Sequence, residues 1–272
     1  MYLCPVLDLH LATDQPEDLF KKIAESAYRP LVRILMQSPK SRATLSIDGA
    51  LLMRLQEAGQ RDIVEGVGEL AKRGQIEIAA GANNNKMLTN QTVEAVEQAI
   101  GEHAKTMRDI FGEVFRPSGF IPPELGYDAN IGAAAAKQGF RWIVVDETAV
   151  EEKSREWPWK SLLSSEQQPG LRAVCRDRGL STGMQYRGFA AAKEVAEEAQ
   201  AASSGNSYVV FAVPVEVFGY HHQGYDTFLA DLLTFSCWTT ATISGLLASE
   251  SFPMRSVKLS ASSWSPWTTL QY

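Results

Sequence analysis

Residues 130–145 read NIGAAAAKQGFRWIVV, and the fold follows from how that stretch divides. Residues 130–138 carry small and apolar side chains at helical spacing. Gly139 stands where a helix takes its C-cap, and residues 142–145 form a short apolar run of strand length. The same succession occurs at Gly74, which follows the helix-period stretch 50–73 and precedes the strand-like run 75–79 (QIEIA). Working outward, further strand-like runs lie at residues 2–9, 43–47, 118–122, 171–175 and 208–217, making seven in all. Helix-period segments cover residues 16–36, 92–111, 190–201 and 225–235. Strands alternating with helices imply parallel pairing through right-handed crossovers. Seven such units suit either a barrel or a doubly wound sheet, and periodicity alone leaves both open. Residues 201–207 (AASSGNS) read as a linker and residues 157–170 (WPWKSLLSSEQQPG) as a partly aromatic surface excursion.

Composition narrows the function classes. The chain has 272 residues, with 26 Lys+Arg against 32 Asp+Glu, a formal charge of 26 − 32 = −6. No basic cluster offers the phosphate neutralisation that nucleic acids require, so nucleic-acid binding is not expected. No apolar run reaches the roughly 18 residues that a membrane helix needs, and the N-terminus MYLCPVLDLH lacks a signal-peptide pattern. Cys4, Cys175 and Cys237 form no paired motif and read as small buried hydrophobes in a reducing compartment. A cytoplasmic protein is expected.

In sheets of this kind, the loops after the strand C-terminal ends gather on one face, where sites form. Those ends carry Asp8 and His10, then Asp48, then Asn83 to Asn85. Glu124 follows, then Asp146 and Glu147, Arg176 and Asp177, and finally Glu216, His221 and His222. Each alone could mark nothing more than the boundary with solvent. Their convergence from several strands points to a polar cleft.

Several of these segments resemble glycoside hydrolase family 57. RPSGFIPPELGYDANI is similar to the segment that carries the family's nucleophile, here Glu124. QIEIAAGANNNKML, RDRGLSTGMQYRG and VFAVPVEVFGYHHQGYDTFL resemble the segments after the third, sixth and seventh strands. VLDLHLAT resembles the His-x-His stretch on the first. The resemblance implies an α/β fold, a parallel (β/α)7 barrel of the glycoside hydrolase/deacetylase-like type. One domain would span residues 1–272, with a short C-terminal extension from about 239. It further implies action on α-glucan oligosaccharides or polysaccharides with retention of configuration, by hydrolysis or transfer, with no metal and no organic cofactor. In that chemistry one carboxylate attacks the anomeric carbon while a second carboxylic acid protonates the departing oxygen.

The chain departs from the family pattern at three places. The acid of the Asp-x-Glu stretch falls on Pro214, the first His of the opening pair falls on Asp8, and the His after the third strand falls on Asn85. Loss of a general acid costs typically ~10²–10⁴-fold in rate, so activity is expected to be impaired unless another group substitutes. Side chains alternate along a strand, so residues 214 and 216 are expected to face one side, which makes Glu216 the nearest replacement. Asp8 is the second candidate. The expected catalytic pair is Glu124 and Glu216. The expected substrate contacts are Asp8, His10, Asn85, Tyr127, Arg176, His221 and Trp264.

Other residues carry simpler readings. His103 lies on a helix and is expected at the surface, and His222 is expected to be a loop residue. Trp157 and Trp159 are candidates for stacking on sugar faces, while Trp142, inside a strand, reads as core. Family members carry a helical region past the barrel that helps complete the cleft, and little of it is present here. A natural short form, a homodimer and a partner subunit all remain open. Two other function classes compete with the enzyme. A non-catalytic glucan-binding or regulatory barrel is favoured by Pro214. A metal-dependent deacetylase is disfavoured because His221 and His222 are adjacent and lack a His-x-x-x-His spacing.

Overall fold

The computed structural model describes residues 1–11, 15–156, 159–201 and 205–262. Its strands are β1 (Tyr2–Leu9), β2 (Ala43–Ile47), β3 (Ile76–Ile78), β4 (Gly119–Phe120), β5 (Trp142–Asp146), β6 (Leu162–Ser165), β7 (Arg172–Arg176), β8 (Tyr208–Pro214), β9 (Thr239–Thr240) and β10 (Met254–Val257). The helices are α1 (Glu17–Ile23), α2 (Arg29–Gln37), α3 (Gly49–Glu57), α4 (Arg61–Lys72), α5 (Val93–Phe111), α6 (Ala129–Lys137), α7 (Arg178–Thr182), α8 (Ala192–Ala201), α9 (Tyr225–Thr234) and α10 (Ile243–Leu247).

Among the described residues the strands form two sheets. One runs β3-β2-β1-β8 with β9 also on β1, and the other runs β10-β6-β7-β5-β4. Two seams join them. At the first, Ala80 N–H donates to Gly119 O and Ile121 N–H to Ala80 O, both at 2.9 Å. At the second, Asp177 N–H donates to Val210 O at 2.8 Å. The parallel strands β1, β2, β3, β4, β5, β7 and β8 thus follow one another around a barrel-like ring, which is the expected (β/α)7 order. Among the described residues no helix is long and apolar enough to cross a membrane.

The period-2 alternation of strands sorts side chains into two cores. Leu3, Leu7 and Leu9 of β1, with Val209, Phe211 and Val213 of β8, pack outward against the helices. Cys4 and Val6, with Tyr208, Val210 and Ala212, pack inside the ring. By the same parity Asp8 and Pro214 face the interior at its mouth. At the opposite end, Glu77 accepts from Ser118 Oγ at 2.7 Å and Ser244 Oγ at 2.6 Å, and Trp142 Nε1 donates to both serines at 3.1 Å. Gly119 makes room for that indole, since a Cβ there would lie 1.9 Å from the Trp142 ring.

The structure corrects the sequence reading at several places. The helix expected over 50–73 is two, α3 and α4, broken where Gly59 takes a φ of +77°. The strand expected over 208–217 ends at Pro214, and Val215–Val217 is a 3-10 turn, so residues 214 and 216 are not related by strand alternation. The surface excursion after residue 157 instead returns as β6, antiparallel to β7, with Trp159 only 1% exposed. A helix missed by periodicity, α7, follows β7 and runs into a π-helical turn, Gly183–Arg187. The segment from 239 is woven into the fold, with β9 on β1 and β10 on β6.

Candidate functional site

The cleft at the mouth of the ring is built by the ends of four neighbouring strands. Its lining includes Asp8 of β1 and His10 just beyond it, Ser46 of β2 and Asp48 just beyond it, Asn85 from beyond β3, and Glu124 from beyond β4. Asp48 is the N-cap of α3. Its Oδ1 accepts from Ala50 N–H at 2.8 Å, and its Oδ2 lies 3.2 Å from His10 Nδ1. Burial acts to raise the Asp48 carboxyl, but the His10 bond and the Ala50 and Asn84 amides outweigh it and hold it below the usual range. Burial likewise acts to lower His10. The Asp48 hydrogen bond and the Asp8, Asp48 and Glu216 carboxylates overcome that and favour the imidazolium.

Glu124 occupies the centre of a 3-10 turn, Pro123–Leu125, that follows β4. Its φ is +58° and that of Leu125 is +51°, a left-handed conformation that costs a non-glycine residue about 1–3 kcal/mol. Its side chain is 4% exposed, and Oε1 accepts from Asn85 Nδ2 at 2.5 Å. Asn84 and Asn85 are themselves left-handed, at +58° and +46°. Two strained turns from adjacent strands therefore meet at one hydrogen bond. Strain of this kind persists where the surroundings over-determine it, and it clusters at functional sites.

Glu216 lies outside the cleft lining. It is 2% exposed, its Oε1 accepts from the Tyr28 hydroxyl, and its Oε2 has no hydrogen-bond partner among the described residues. Tyr28 reaches it because the chain between α1 and α2 forms a π-helical turn, Ala24–Tyr28. Gly219 is pressed onto that turn at a φ of +125°, where a Cβ would sit 2.0 Å from Ser26 O. Burial pushes the Glu216 carboxyl up to about 8, against the pull of the Tyr28 hydroxyl.

The remaining expected contacts are placed elsewhere. Arg176, 1% exposed, forms a buried ion pair with Asp146. Tyr127 is 2% exposed, its hydroxyl bonds Ser165, and its backbone pairs with Ser262. His221 is half-buried, its amide donates to Glu216 O at 2.9 Å, and its ring meets Tyr220 edge-on. None of these three lines the cleft. Trp264 and Trp157 lie outside the described residues, and the buried Trp159 offers no face to a sugar.

Sequence reasoning placed His103 at the surface, but the structure buries it completely. Its Nδ1 accepts from Gly81 N–H at 3.2 Å, which makes Nε2 the donor to Ile47 O at 2.9 Å. It thereby ties the end of β2, next to Asp48, to the end of β3, next to the asparagine turn. Burial holds it below its ordinary value, as a neutral ring. The signal was available. Val96, Ala99, Ile100, His103, Ala104 and Met107 follow one helical stripe, and all are buried.

Buried carboxyls make stability depend on pH. Glu216 is raised to about 8 and Asp177 to about 7, in both cases chiefly by burial. A carboxyl raised in the fold binds a proton that the unfolded chain has already released, so stability falls as pH rises through that window. Between pH 7.5 and 8.5, where His103 is almost wholly neutral in both states, the melting temperature is expected to fall. The slope is up to about 1.4 kcal/mol per pH unit for each proton held. Glu216→Gln is expected to flatten the melting profile between those two values.

Among the described residues no group of three or more His, Cys, Asp or Glu could hold a metal. Curated protein sequences give no match. Among solved structures, the 4-alpha-glucanotransferase from Thermococcus litoralis superposes with a TM-score of 0.81 at 18% identity over 97% of this chain, which spans 42% of that one. The GH57-type branching enzyme from Pyrococcus horikoshii gives 0.76 at 17% identity, covering 97% of this chain and 73% of that one. The alpha-amylase AmyC from Thermotoga maritima gives 0.76 at 15%, covering 96% and 77%. At such identities the likeness is one of fold. The sequence itself carries the assignment further, because the family model described as glycosyl hydrolase family 57 matches residues 2–255. A ring of seven parallel strands with a strained glutamate at its mouth is thus found in a chain that belongs to glycosyl hydrolase family 57.

Proposed function

We propose that this chain is a retaining, α-glucan-active glycosidase or transglycosidase in which Glu124 is the attacking carboxylate. The observation that carries the reading is the left-handed turn holding Glu124 in the cleft with Asn85 on its Oε1. A hydrogen bond from the neutral amide of Asn85 fixes the carboxylate at the cleft without neutralising it. His10, whose carboxylate neighbours favour the imidazolium, and Asn85 suit sugar hydroxyls. The α-glucan class is supported by family membership and by neighbours that include a 4-alpha-glucanotransferase, a branching enzyme and an alpha-amylase. A reducing, cytoplasmic setting belongs to the same proposal and fits the free Cys4, Cys175 and Cys237.

One observation favours a second reading, a glucan-binding barrel without turnover. Pro214 carries no proton, yet it stands at the mouth beside Asp8. An aryl α-glucoside with an activated leaving group separates the two, because its departure needs little protonation. Turnover with retained anomeric configuration, followed by proton NMR, together with covalent labelling of Glu124 by a fluorinated glycosyl fluoride, is the expected result. Maltooligosaccharide binding without turnover or label would establish the second reading.

A further inference from the structure

Four ionisable side chains line the cleft: Asp8, His10, Asp48 and Glu124. Asp48 is committed to the α3 cap and to His10. His10 gives its Nδ1 to Asp48 and balances the surrounding carboxylates, so releasing its proton would leave buried negative charge unopposed. Glu124 is held by Asn85. Asp8 remains: it is half-buried and faces the interior. It stands in register with Ser46 on one neighbouring strand and with Pro214 on the other. Glu216 is a carboxyl too, but it sits behind the cleft on Tyr28.

We propose that Asp8 is the general acid and base of this site, an inference that rests on the reading of Glu124 as nucleophile. A carboxyl on β1 does what residue 214 on the adjacent strand cannot. In the first step a Glu124 oxygen bonds to the anomeric carbon and the glycosidic C–O bond breaks. Its electron pair stays on the departing oxygen, which takes the proton from Asp8. In the second step Asp8, now a carboxylate, takes a proton from water or an acceptor hydroxyl. The freed oxygen bonds to the anomeric carbon, and Glu124 leaves as carboxylate. Atoms and charge balance over the cycle, and Asp8 ends protonated as it began.

The surroundings suit the role. Burial pushes the Asp8 carboxyl up to about 6; Glu124 beyond β4 and Asp48 at the end of β2 add to the rise, while His10 and the Ser46 hydroxyl oppose it. Glu216, from the turn after β8, is the other titratable group that interacts with it. A carboxyl whose proton is held by burial, set beside a second carboxyl in one cleft, suits the acid of such a pair.

The test compares Asp8→Asn with the native chain on an activated aryl α-glucoside and on a maltooligosaccharide. With the oligosaccharide, kcat is expected to fall ~10²–10⁴-fold, the scale of a lost general acid, with KM little changed. With the aryl glucoside, a first-turnover burst is expected, followed by a slow steady state, because the glycosyl-enzyme now lacks its base. Azide should restore that rate and yield a glycosyl azide of retained configuration. Native oligosaccharide turnover is expected to fall as pH rises past about 6, where burial places the Asp8 carboxyl, and that fall should vanish in the variant. Asp8→Glu, which keeps the acid on a longer arm, should keep that fall in pH profile with a reduced kcat, and it serves should Asp8→Asn not fold. Equal losses on both substrates, no azide product and an unaltered pH profile would make Asp8 a sugar-binding group and overturn the proposal. Failure of the nucleophile reading looks different: the native chain then turns over neither substrate and takes no label, and the Asp8 role falls with it.

Discussion

Glu124→Gln is expected to reduce turnover of an activated aryl α-glucoside to the uncatalysed background, a loss on the order of 10⁶-fold, the scale for removing a covalent nucleophile. The substitution isolates chemistry from architecture. Glutamine keeps the length and shape of the side chain and offers Asn85 Nδ2 the same kind of oxygen that it meets now at 2.5 Å. It also inherits the same φ of +58°, so the backbone strain is unchanged. The melting temperature should therefore move little, and maltooligosaccharide affinity by calorimetry should survive. An amide oxygen is too weak a nucleophile to form the glycosyl-enzyme, so the fluorinated label should be absent as well. Residual turnover at more than a few per cent would place the attacking group elsewhere.

The largest effect on stability is expected from Asp146→Ala. Asp146 ends β5 and Arg176 ends β7, opposite one another in register, and both side chains are 1% exposed. Asp146 Oδ1 accepts from Thr148 N–H at 3.0 Å and from Thr148 Oγ1 at 2.7 Å, and Oδ2 accepts from Arg176. Burial alone would raise the Asp146 carboxyl. The Arg176 charge and the Thr148 bonds more than reverse that, which is the mark of a carboxylate fully matched to its setting. Removing one partner of such a pair costs about 3–5 kcal/mol, because the other charge stays buried without its counterion. Against a total stability of about 5–15 kcal/mol, urea denaturation should show a much lower midpoint or a chain that does not fold. Asp146→Ala/Arg176→Met should recover part of the loss, since an apolar replacement of both charges removes the desolvation penalty too.

The seven parallel strands were legible because each is a short apolar run closed by a turn residue. β1 and β2 fall at their expected bounds, and α6 with β5 follows the helix, Gly139, strand reading. The breaks were less legible. A 3-10 turn such as Val215–Val217 has no period of its own, and its apolar residues continue the pattern of β8. The site divided in the same way. Asp8, His10, Asn85 and Glu124 stood at strand ends, where parallel sheets put their chemistry, and the structure gathers them in one cleft. Arg176 stood there too, but Asp146, distant in sequence, claimed it, and the expected sugar contact Tyr127 is buried with its backbone paired to Ser262. Tyr28 could not be found at all. It sits on a helical apolar face, and only the π turn reveals that its hydroxyl meets Glu216.

The two-hydrogen-bond seam at Ala80 has a mechanical meaning. Asp8 and Asp48 belong to one sheet and Glu124 follows the edge strand of the other, so the cleft straddles the joint between two plates. Across that joint run the Ala80 bridge and the Asn85–Glu124 bond. In glycosidases, carboxyls about 5–5.5 Å apart give retention, while about 6.5–9.5 Å admits a water and gives inversion. A slide of one plate past the other by an ångström or two would span that difference. The spacing between Asp8 and Glu124, and with it the stereochemical outcome proposed above, is thus set across this joint.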